Sequence, residues 1–365
     1  MKLVIVGPAF PLRGGIAHHV YRLNKILQDR GHTTQTISYS RLYPRFLFPG
    51  KTMQDLSRET LDVDALQILD SMNPGTWIRA VRTIQRLEPA IVLFEWWTPI
   101  LAPVIGTVAR LLRRSGLKCV FECHNVFPHE PTLLDFPMVQ YGLSAADAFI
   151  AFSRQNVRYL REYFPDTTSL YTHLPAPFSF RGGAGRTGTT ILFFGVVRPY
   201  KGLDVLLQAM PTVLTEVKCN LIVAGEFYEA IDKYDSMIRR YGLEPFVQVN
   251  DRYVPNEEIE VLLEKADVLA LPYRDATQSG VLRMALSSGM PVVASEVGAF
   301  ADEVLDNVNG LLVKAGDRQS LAAALIKYFK EGLGPKFARN IRLADRTGDA
   351  HELPEIIESL ASSAR

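Results

Sequence analysis

The stretch Leu271–Gly298 constrains the fold more than any other part of the chain, because it predicts a complete strand–loop–helix–strand unit. Its apolar start leads into the polar segment Asp275–Gly280. Val281–Ser288 then has the apolar spacing of a buried helix, and Pro291–Ala294 is a short apolar strand. A Ser-Gly pair at the helix start presents free backbone N–H groups and the positive end of the helix dipole. The stretch therefore predicts an α/β unit whose loop suits an anion.

The beginning of the sequence follows the same plan. Leu3–Val6 predicts a buried strand, Gly7–Gly15 a glycine-containing loop and Ile16–Arg30 a helix. A strand, a loop and a helix in this order open a doubly wound sheet. The loop lacks the G-x-G-x-x-G spacing, and no acidic residue ends the next predicted strand, Thr34–Tyr39. A dehydrogenase is therefore disfavoured.

The length of 365 residues exceeds one ordinary core, so two domains are expected. The segment Arg181–Gly188, RGGAGRTG, has the composition of a linker. We predict an N-terminal domain over residues 1–180, a second over 189–345, and a helix over 352–365 that could pack back on the first. The predicted fold class is α/β, with two doubly wound Rossmann-like domains whose strand ends face across a cleft.

Composition excludes several classes of protein. The net charge of +1 gives no global attraction to nucleic acid. Three cysteines in a chain of this size are typical of a reducing cytoplasm, so we expect a cytoplasmic protein. No run of eighteen apolar residues is present, so no membrane span is predicted.

The segment Ser40–Lys51, SRLYPRFLFPGK, has two interpretations. It could be a loop that packs its aromatic residues on the core. It could instead touch an anionic membrane surface, with aromatic residues at the interface and cations on the headgroups. The residues that would do so are Tyr43, Phe46, Leu47 and Phe48, with the cations Arg41, Arg45 and Lys51.

Polar residues follow two predicted strands of the first domain. Glu95 ends the strand Ala90–Glu95, and His124 follows the strand Lys118–Glu122. Ligands of α/β sheets lie at such carboxyl ends. His124 is therefore a better functional candidate than His129. A metal site built from His124, His129 and Glu130 is disfavoured, because this proline-containing loop lacks an H-x-x-x-H spacing.

Cations occupy a strand–helix loop of the second domain. Arg198 and Lys201 lie in GVVRPYKG, and opposite a Ser-Gly helix start they would form a diphosphate clamp. The residues predicted to point into the cleft are Gly14, Gly15, His124, Arg198, Lys201, Gly202, Gly225, Glu226, Thr277, Gln278, Ser279, Gly280 and Val281.

Seven motifs carry a resemblance to a known family: RGGIAHHV, FECHNVFPHE, GVVRPYKGLDVLLQA, LIVAGE, ADVLALPY, TQSGVLRMALSSGMPVVASEVG and NGLLV. Together they resemble a family-4 glycosyltransferase of the GT-B fold, from Met1 to about Val313. HNVFPHE and YPRFLFPGK are similar to one subgroup of that family.

The resemblance implies transfer of a sugar from a nucleotide sugar, a UDP- or GDP-sugar, to a glycan or lipid-linked acceptor. It also implies that the transfer retains the anomeric configuration and needs no metal or other cofactor. By resemblance, Arg198 and Lys201 bind the donor diphosphate, as do backbone amides of Ser279–Val281 and of the Gly14-Gly15 loop. The resemblance also implies that His124 lies beside the reacting centre.

One departure from the family is clear. The family commonly has two glutamates, and the aligned positions here are Ala276 and Met284. Methionine cannot accept a ribose hydrogen bond of that strength, so Glu226 or backbone groups would have to do so, and Asp275 or Gln278 could stand near the sugar. A non-catalytic nucleotide-sugar-binding or scaffold protein stays an alternative. A GT-B epimerase is disfavoured, since no histidine lies between residues 174 and 350.

Overall fold

The computed structural model describes residues 1–44, 48, 50–128, 132–176, 188–345 and 352–363. The chain forms two compact units, which are described separately. The first comprises Met1–Leu56, Thr60–Pro177 and Asp349–Arg365, and the second Ser57–Glu59 and Phe178–Gly348. Most of the predicted linker, residues 181–187, lies outside the described residues.

The first unit contains a seven-stranded parallel sheet in the order β3-β2-β1-β4-β5-β6-β7. The strands are β1 (Lys2–Val6), β2 (Thr33–Arg41), β3 (Ala65–Asp70), β4 (Ile91–Trp96), β5 (Cys119–Cys123), β6 (Ala148–Ala151) and β7 (Thr168–Tyr171). Its helices are α1 (Gly15–Asp29), α2 (Pro74–Leu87), α3 (Ala102–Arg114), α4 (Asp135–Leu143), α5 (Arg154–Tyr163) and the C-terminal α13 (Glu352–Ser362).

Both faces of this sheet are covered, which is why its strands are nearly continuous apolar runs. Successive side chains alternate between the faces. Val4 and Val6 belong to the cluster formed with α2–α5, whereas Leu3 and Ile5 belong to the cluster formed with α1 and α13.

Helix α13 is thus part of the first unit. Leu353, Ile357 and Ala361 are buried in the same cluster as β1 and α1. Glu358 accepts two hydrogen bonds of 2.8 Å from the guanidinium of Arg30 at the end of α1. The helix closes one face of the sheet.

The second unit contains a six-stranded parallel sheet in the order β10-β9-β8-β11-β12-β13. The strands are β8 (Thr190–Phe194), β9 (Asn220–Ala224), β10 (Val247–Asn250), β11 (Val268–Leu271), β12 (Val292–Ser295) and β13 (Gly310–Val313). Its helices are α6 (Leu203–Glu216), α7 (Asp232–Arg240), α8 (Asn256–Lys265), α9 (Gly280–Ser287), α10 (Gly298–Glu303), α11 (Arg318–Lys330) and α12 (Gly334–Asp345).

Strand order fixes where each unit can bind a ligand. In the first unit the order reverses between β1 and β4, and in the second between β8 and β11. Ligands of open parallel sheets bind at the carboxyl ends of the strands at such reversals. The loop after β8 carries Arg198 and Lys201, and the loop after β11 carries Thr277–Val281. The two Rossmann-like folds predicted from the sequence are therefore confirmed.

Candidate functional site

The loops after β8 and β9 of the second unit are joined by backbone hydrogen bonds. Val197 N–H donates to the Glu226 carbonyl at 2.9 Å. Gly225 has φ of 155°, and a Cβ there would lie 2.1 Å from the Gly195 carbonyl oxygen. Gly225 is therefore required by the close approach of two loops. Glu226 is buried beside it.

Lys201, in the loop after β8, carries a buried ammonium group. Its side chain is buried, and its ammonium has no ion pair or hydrogen bond among the residues that the structure describes. Burial, and to a smaller extent the nearby charge of Arg198, lowers the pKa of Lys201 to about 8. The Nζ atom lies 5.4 Å from the ring centroid of Tyr273. A buried cation without a counter-ion is unfavourable, so this position is suited to an incoming anion.

Lys201, which is close enough to Arg198 to respond to its charge, also lies near the start of α9. The guanidinium of Arg198 lies over the ring of Tyr228, with its carbon 5.1 Å from the centroid. A Cβ built on Gly195 would lie 3.2 Å from Lys201 Nζ and 3.3 Å from Val281 Cγ2. The structure thus brings the lysine of one loop next to the helix start of another.

The first turn of α9 is capped but leaves donors free. The side chain of Ser279 accepts a hydrogen bond of 3.2 Å from Leu282 N–H. The N–H groups of Gly280 and Val281 have no acceptor in the described part of the chain. The buried Oε1 of Gln278 likewise has no hydrogen-bond partner there. This turn therefore offers the backbone donors of Gly280 and Val281 at the positive end of a helix, and Thr277 is buried just before it.

Arg274 supports the cationic loop and was missed by sequence reasoning. Its guanidinium donates to both carboxylate oxygens of Asp204, at 2.9 and 2.8 Å, and to the Pro199 carbonyl at 2.8 Å. Its backbone N–H donates to the Tyr200 carbonyl at 2.6 Å. Burial opposes ionisation of Asp204, but the Arg274 hydrogen bond and charge hold the pKa of that carboxyl below its ordinary value. The loop after β11 therefore holds the RPYK loop in place.

The two positions that lack the family's glutamates are buried in apolar surroundings. Met284 and Ala276 belong to the hydrophobic cluster under β11 and β12. The Ala276 carbonyl also accepts a hydrogen bond of 3.3 Å from Ala299 N–H. Neither side chain can bind a sugar hydroxyl.

Gly14 and Gly15 begin α1 in the first unit. Gly14 has φ of 114°, and no side chain caps the helix. A Cβ at either glycine would meet nothing within 4 Å. The glycines leave the amides of the first turn open to an approaching group.

His124 follows β5 directly and belongs to a buried cluster of four ionisable residues. Its Nε2 lies 2.6 Å from Glu95 Oε2. His19, one turn into α1, has its Nε2 2.7 Å from Glu122 Oε2 and 3.7 Å from Glu95 Oε1. The two imidazole rings meet edge to face, with centroids 4.9 Å apart. Sequence reasoning selected His124 and Glu95 but not their two partners.

Burial shifts the pKa values of two groups in this cluster. Burial, and then the charge of Glu122, raises the pKa of Glu95 well above its ordinary value. Burial, and then His19, lowers the pKa of His124 well below its ordinary value. Both shifts favour the neutral form of each group.

Donor atoms of His19, Glu95 and His124 lie within 4.8 Å of one another, close enough for one cation. However, the 2.6 and 2.7 Å separations are hydrogen-bond distances. The metal site that the sequence analysis disfavours would include His129 and Glu130, which lie outside the described residues.

The described part of Ser40–Lys51 contacts its own unit. Leu42 is buried, and Tyr43 packs on the core and accepts a hydrogen bond of 2.7 Å from Trp97 Nε1. Arg41 pairs with Asp70 at 3.3 Å. Arg45, Phe46 and Leu47 lie outside the described residues. No described helix is long and apolar enough to cross a membrane.

Comparisons with known sequences agree with this geometry. The model of the family Glycosyltransferase Family 4 matches residues 13–169, and that of Glycosyl transferases group 1 matches residues 188–331. A D-inositol 3-phosphate glycosyltransferase of Xylanimonas cellulosilytica is 32% identical over 43% of this chain and 38% of its own length. A phosphatidyl-myo-inositol mannosyltransferase of Mycobacterium leprae is 28% identical over 50% of this chain and 49% of its own. The chain thus spans less than half of the length of these curated relatives.

A solved structure extends the likeness over the whole chain. Anabaena Alr3699/HepE in complex with UDP and glucose matches with a TM-score of 0.76 and 17% identity, over 100% of both chains. Two parallel-sheet Rossmann-like units with this likeness define the GT-B class of α/β proteins. Since the two family models match one unit each, the chain belongs to the family-4 glycosyltransferases.

Proposed function

We propose that the protein transfers a sugar from a UDP- or GDP-sugar to a glycan or lipid-linked acceptor, with retention of configuration and without a metal. The observation that carries the proposal is the buried ammonium of Lys201, which lies next to Val281 and has no counter-ion among the described residues. A diphosphate would supply the missing negative charge. Curated relatives are named as glycosyltransferases, and a solved neighbour binds UDP.

The chemistry then needs few groups. As the bond between the sugar and the phosphate breaks, negative charge builds on the phosphate oxygens. Arg198, Lys201 and the N–H groups of Gly280 and Val281 would stabilise that charge more strongly in the transition state than before it. The leaving phosphate accepts the proton of the acceptor hydroxyl, whose oxygen bonds to the anomeric carbon on the same face. This sequence retains the configuration.

The remaining predicted residues receive roles in the same proposal. Amides at Gly14 and Gly15 would contact the donor, and His124 would lie beside the transferred sugar. Glu226 is the carboxylate we propose for the ribose hydroxyls, because Met284 cannot bind them.

The test is a panel of nucleotide sugars offered with glycan and lipid-linked acceptors. We expect nucleoside diphosphate to be released in at least one pair, and EDTA should not reduce this release. NMR should show that the product has the same anomeric configuration as the donor. His124→Ala should reduce transfer strongly while the fold and the diphosphate affinity stay near wild type. An inverted product would contradict retention, and equal loss of binding and turnover would make His124 a structural residue.

A non-catalytic nucleotide-sugar-binding protein is the second candidate. The apolar burial of Met284 and Ala276 favours it, because two hydroxyl-binding carboxylates of the family are absent. Clear nucleotide binding without diphosphate release in any donor–acceptor pair would select this candidate.

We also propose that the protein contacts an anionic membrane peripherally. At the inner face of that membrane it would meet a lipid-linked acceptor. Arg79, Arg82 and Arg86 recur along one exposed face of α2 and make no ion pair among the described residues. Helix α2 contains no acidic residue, and the exposed Ile78 lies beside these cations. This face supports the proposal better than Arg41, which is paired with Asp70.

A further inference from the structure

Two buried glutamates lie side by side in the first unit. Glu95 on β4 is the direct neighbour of Glu122 on β5 in the parallel pairing, and both are fully buried. Two carboxylates this close, removed from water, do not both ionise without compensation, because their charges repel. The cluster therefore has to hold protons or cations in a defined arrangement.

His19 compensates one of the two carboxylates more than the other. Its Nε2 lies 2.7 Å from Glu122 Oε2 but 3.7 Å from Glu95 Oε1. The hydrogen-bonded pair on this side is thus His19 with Glu122. Among the described residues, the ring of His124 is the only basic group within hydrogen-bond distance of Glu95.

We propose that Glu95 is a positioning residue, which stays protonated and donates a hydrogen bond through Oε2 to Nε2 of His124. A ring nitrogen that accepts a hydrogen bond carries no proton in the neutral imidazole, so the proton lies on Nδ1. His124 Nδ1 has no partner among the described residues. The cluster therefore presents Nδ1–H as a donor for an oxygen of the sugar or the acceptor.

The surroundings fit this proton arrangement. The pKa of Glu95 is raised by burial and by Glu122, and the pKa of His124 is lowered by burial and by His19, so both neutral forms are favoured. A protonated carboxyl kept neutral in an apolar site can act as a hydrogen-bond donor. Gly7 makes room for the side chain, since a Cβ there would lie 2.5 Å from Glu95 Cγ. The inference rests on the proposed function only for the group that Nδ1–H meets.

The direct test measures the tautomer of His124 in the wild-type full-length chain. Ring-nitrogen NMR of histidine-labelled protein, assigned by comparison with His124→Gln, should show a proton on Nδ1 and none on Nε2. This measurement needs no activity, so it separates failure of this inference from failure of the proposed function. A proton found on Nε2 would overturn the inference.

Glu95→Gln and Glu95→Leu give the matched kinetic comparison. The amide introduced by Glu95→Gln can donate the same hydrogen bond, so we expect that variant to keep the Nδ1 tautomer and most of the wild-type kcat. Glu95→Leu removes the donor and should lower kcat about 10²-fold, at the low end of effects from positioned proton donors, with KM for the donor little changed. Equal loss in both variants would mean that Glu95 acts as an ionised carboxylate. Stoichiometric metal bound by wild type and lost in Glu95→Gln would also overturn the proposal.

Discussion

Arg274 holds Asp204 with both of its Nη atoms, and this pair joins the loop after β11 to the first turn of α6. Between them lies the RPYK loop, whose Pro199 and Tyr200 carbonyls also accept hydrogen bonds from Arg274. The pair therefore fixes a loop whose two cations we propose to bind a diphosphate.

Arg274→Ala should weaken diphosphate binding although Arg274 need not touch the ligand, because the loop loses its support. Since the pair is partly exposed, we expect a stability loss of only about 1 kcal/mol. Titration calorimetry with UDP and GDP measures the affinity. Arg252→Ala, which breaks the surface pair with Glu258 in the same unit, is the control and should leave affinity unchanged. Equal effects in both variants would contradict a specific role for Arg274.

Lys201→Met should have effects of opposite sign on stability and binding. Removing a buried, uncompensated ammonium relieves a desolvation penalty, so the unliganded variant should melt at a higher temperature than wild type. The loss of a charged hydrogen-bond donor should weaken diphosphate binding by about 1–3 kcal/mol. Differential scanning calorimetry and binding titration test both signs. A variant that is less stable and binds normally would remove Lys201 from the site.

The pKa of Lys201 predicts a pH dependence. It is about 8 in the folded chain and 10.5 as the ordinary value, so the unfolded state binds more protons between these pH values. The Lys201 contribution therefore makes stability rise with pH across that window. Diphosphate affinity should fall as pH rises through about 8, because the ammonium loses its charge. Lys201→Arg, which stays charged, should flatten the affinity profile, and an unchanged profile would refute this assignment.

Met284→Glu restores the family's usual residue but should not restore its function. Met284 is buried in an apolar cluster, and a carboxylate there would lose hydration without gaining a partner. We expect a destabilisation of about 2 kcal/mol or more and no gain in donor affinity. Denaturant unfolding and titration with the nucleotide sugar decide this. A stable variant with tighter donor binding would show that the site can still hold a ribose in the family's manner.

Neutralising the exposed arginines of α2 should reduce vesicle binding. Each cation near an anionic surface contributes about 1 kcal/mol, so replacing Arg79, Arg82 and Arg86 with Gln removes at most about 3 kcal/mol. Co-sedimentation with anionic vesicles at low and high salt is the measurement. The control replaces Lys218, Arg239 and Lys265 of the second unit with Gln, which changes the net charge equally. Equal loss in both triple variants, or no wild-type binding at low salt, would contradict the proposal.

In the first sheet, the sequence predicts the inner strands better than the outer ones. The predicted strands Leu3–Val6 and Ala90–Glu95 end within one residue of β1, Lys2–Val6, and β4, Ile91–Trp96, because buried parallel strands are continuous apolar runs. The prediction omitted β3, Ala65–Asp70, and β7, Thr168–Tyr171, which lie at the two edges of the first sheet. Edge strands are partly exposed, so their apolar pattern is weak. It also omitted α4, Asp135–Leu143, which contains a proline and little amphipathic pattern.

The sequence predicts those parts of the candidate site that lie within a single loop. Arg198 and Lys201 follow β8 by four and seven residues, and Ser279 caps α9, the helix that begins at the next residue. The pairs Glu95–Glu122 and Asp204–Arg274 were not predictable, because strand register and the approach of two loops determine them. Those relationships depend on tertiary packing, which a single sequence does not reveal.

The position of α13 has a consequence for the order in which the chain can fold during synthesis. Its contacts with the first sheet join residues as far apart as Arg30 and Glu358, which are 328 positions from each other. A ribosome makes the whole second unit before it makes the residues that cover this apolar face. During that interval α1 can already pack on Leu3 and Ile5, but the part of the cluster supplied by Leu353, Ile357 and Ala361 is missing. The core of the first unit is therefore completed only after the second unit has been made, by contacts that close a very long loop and so form slowly.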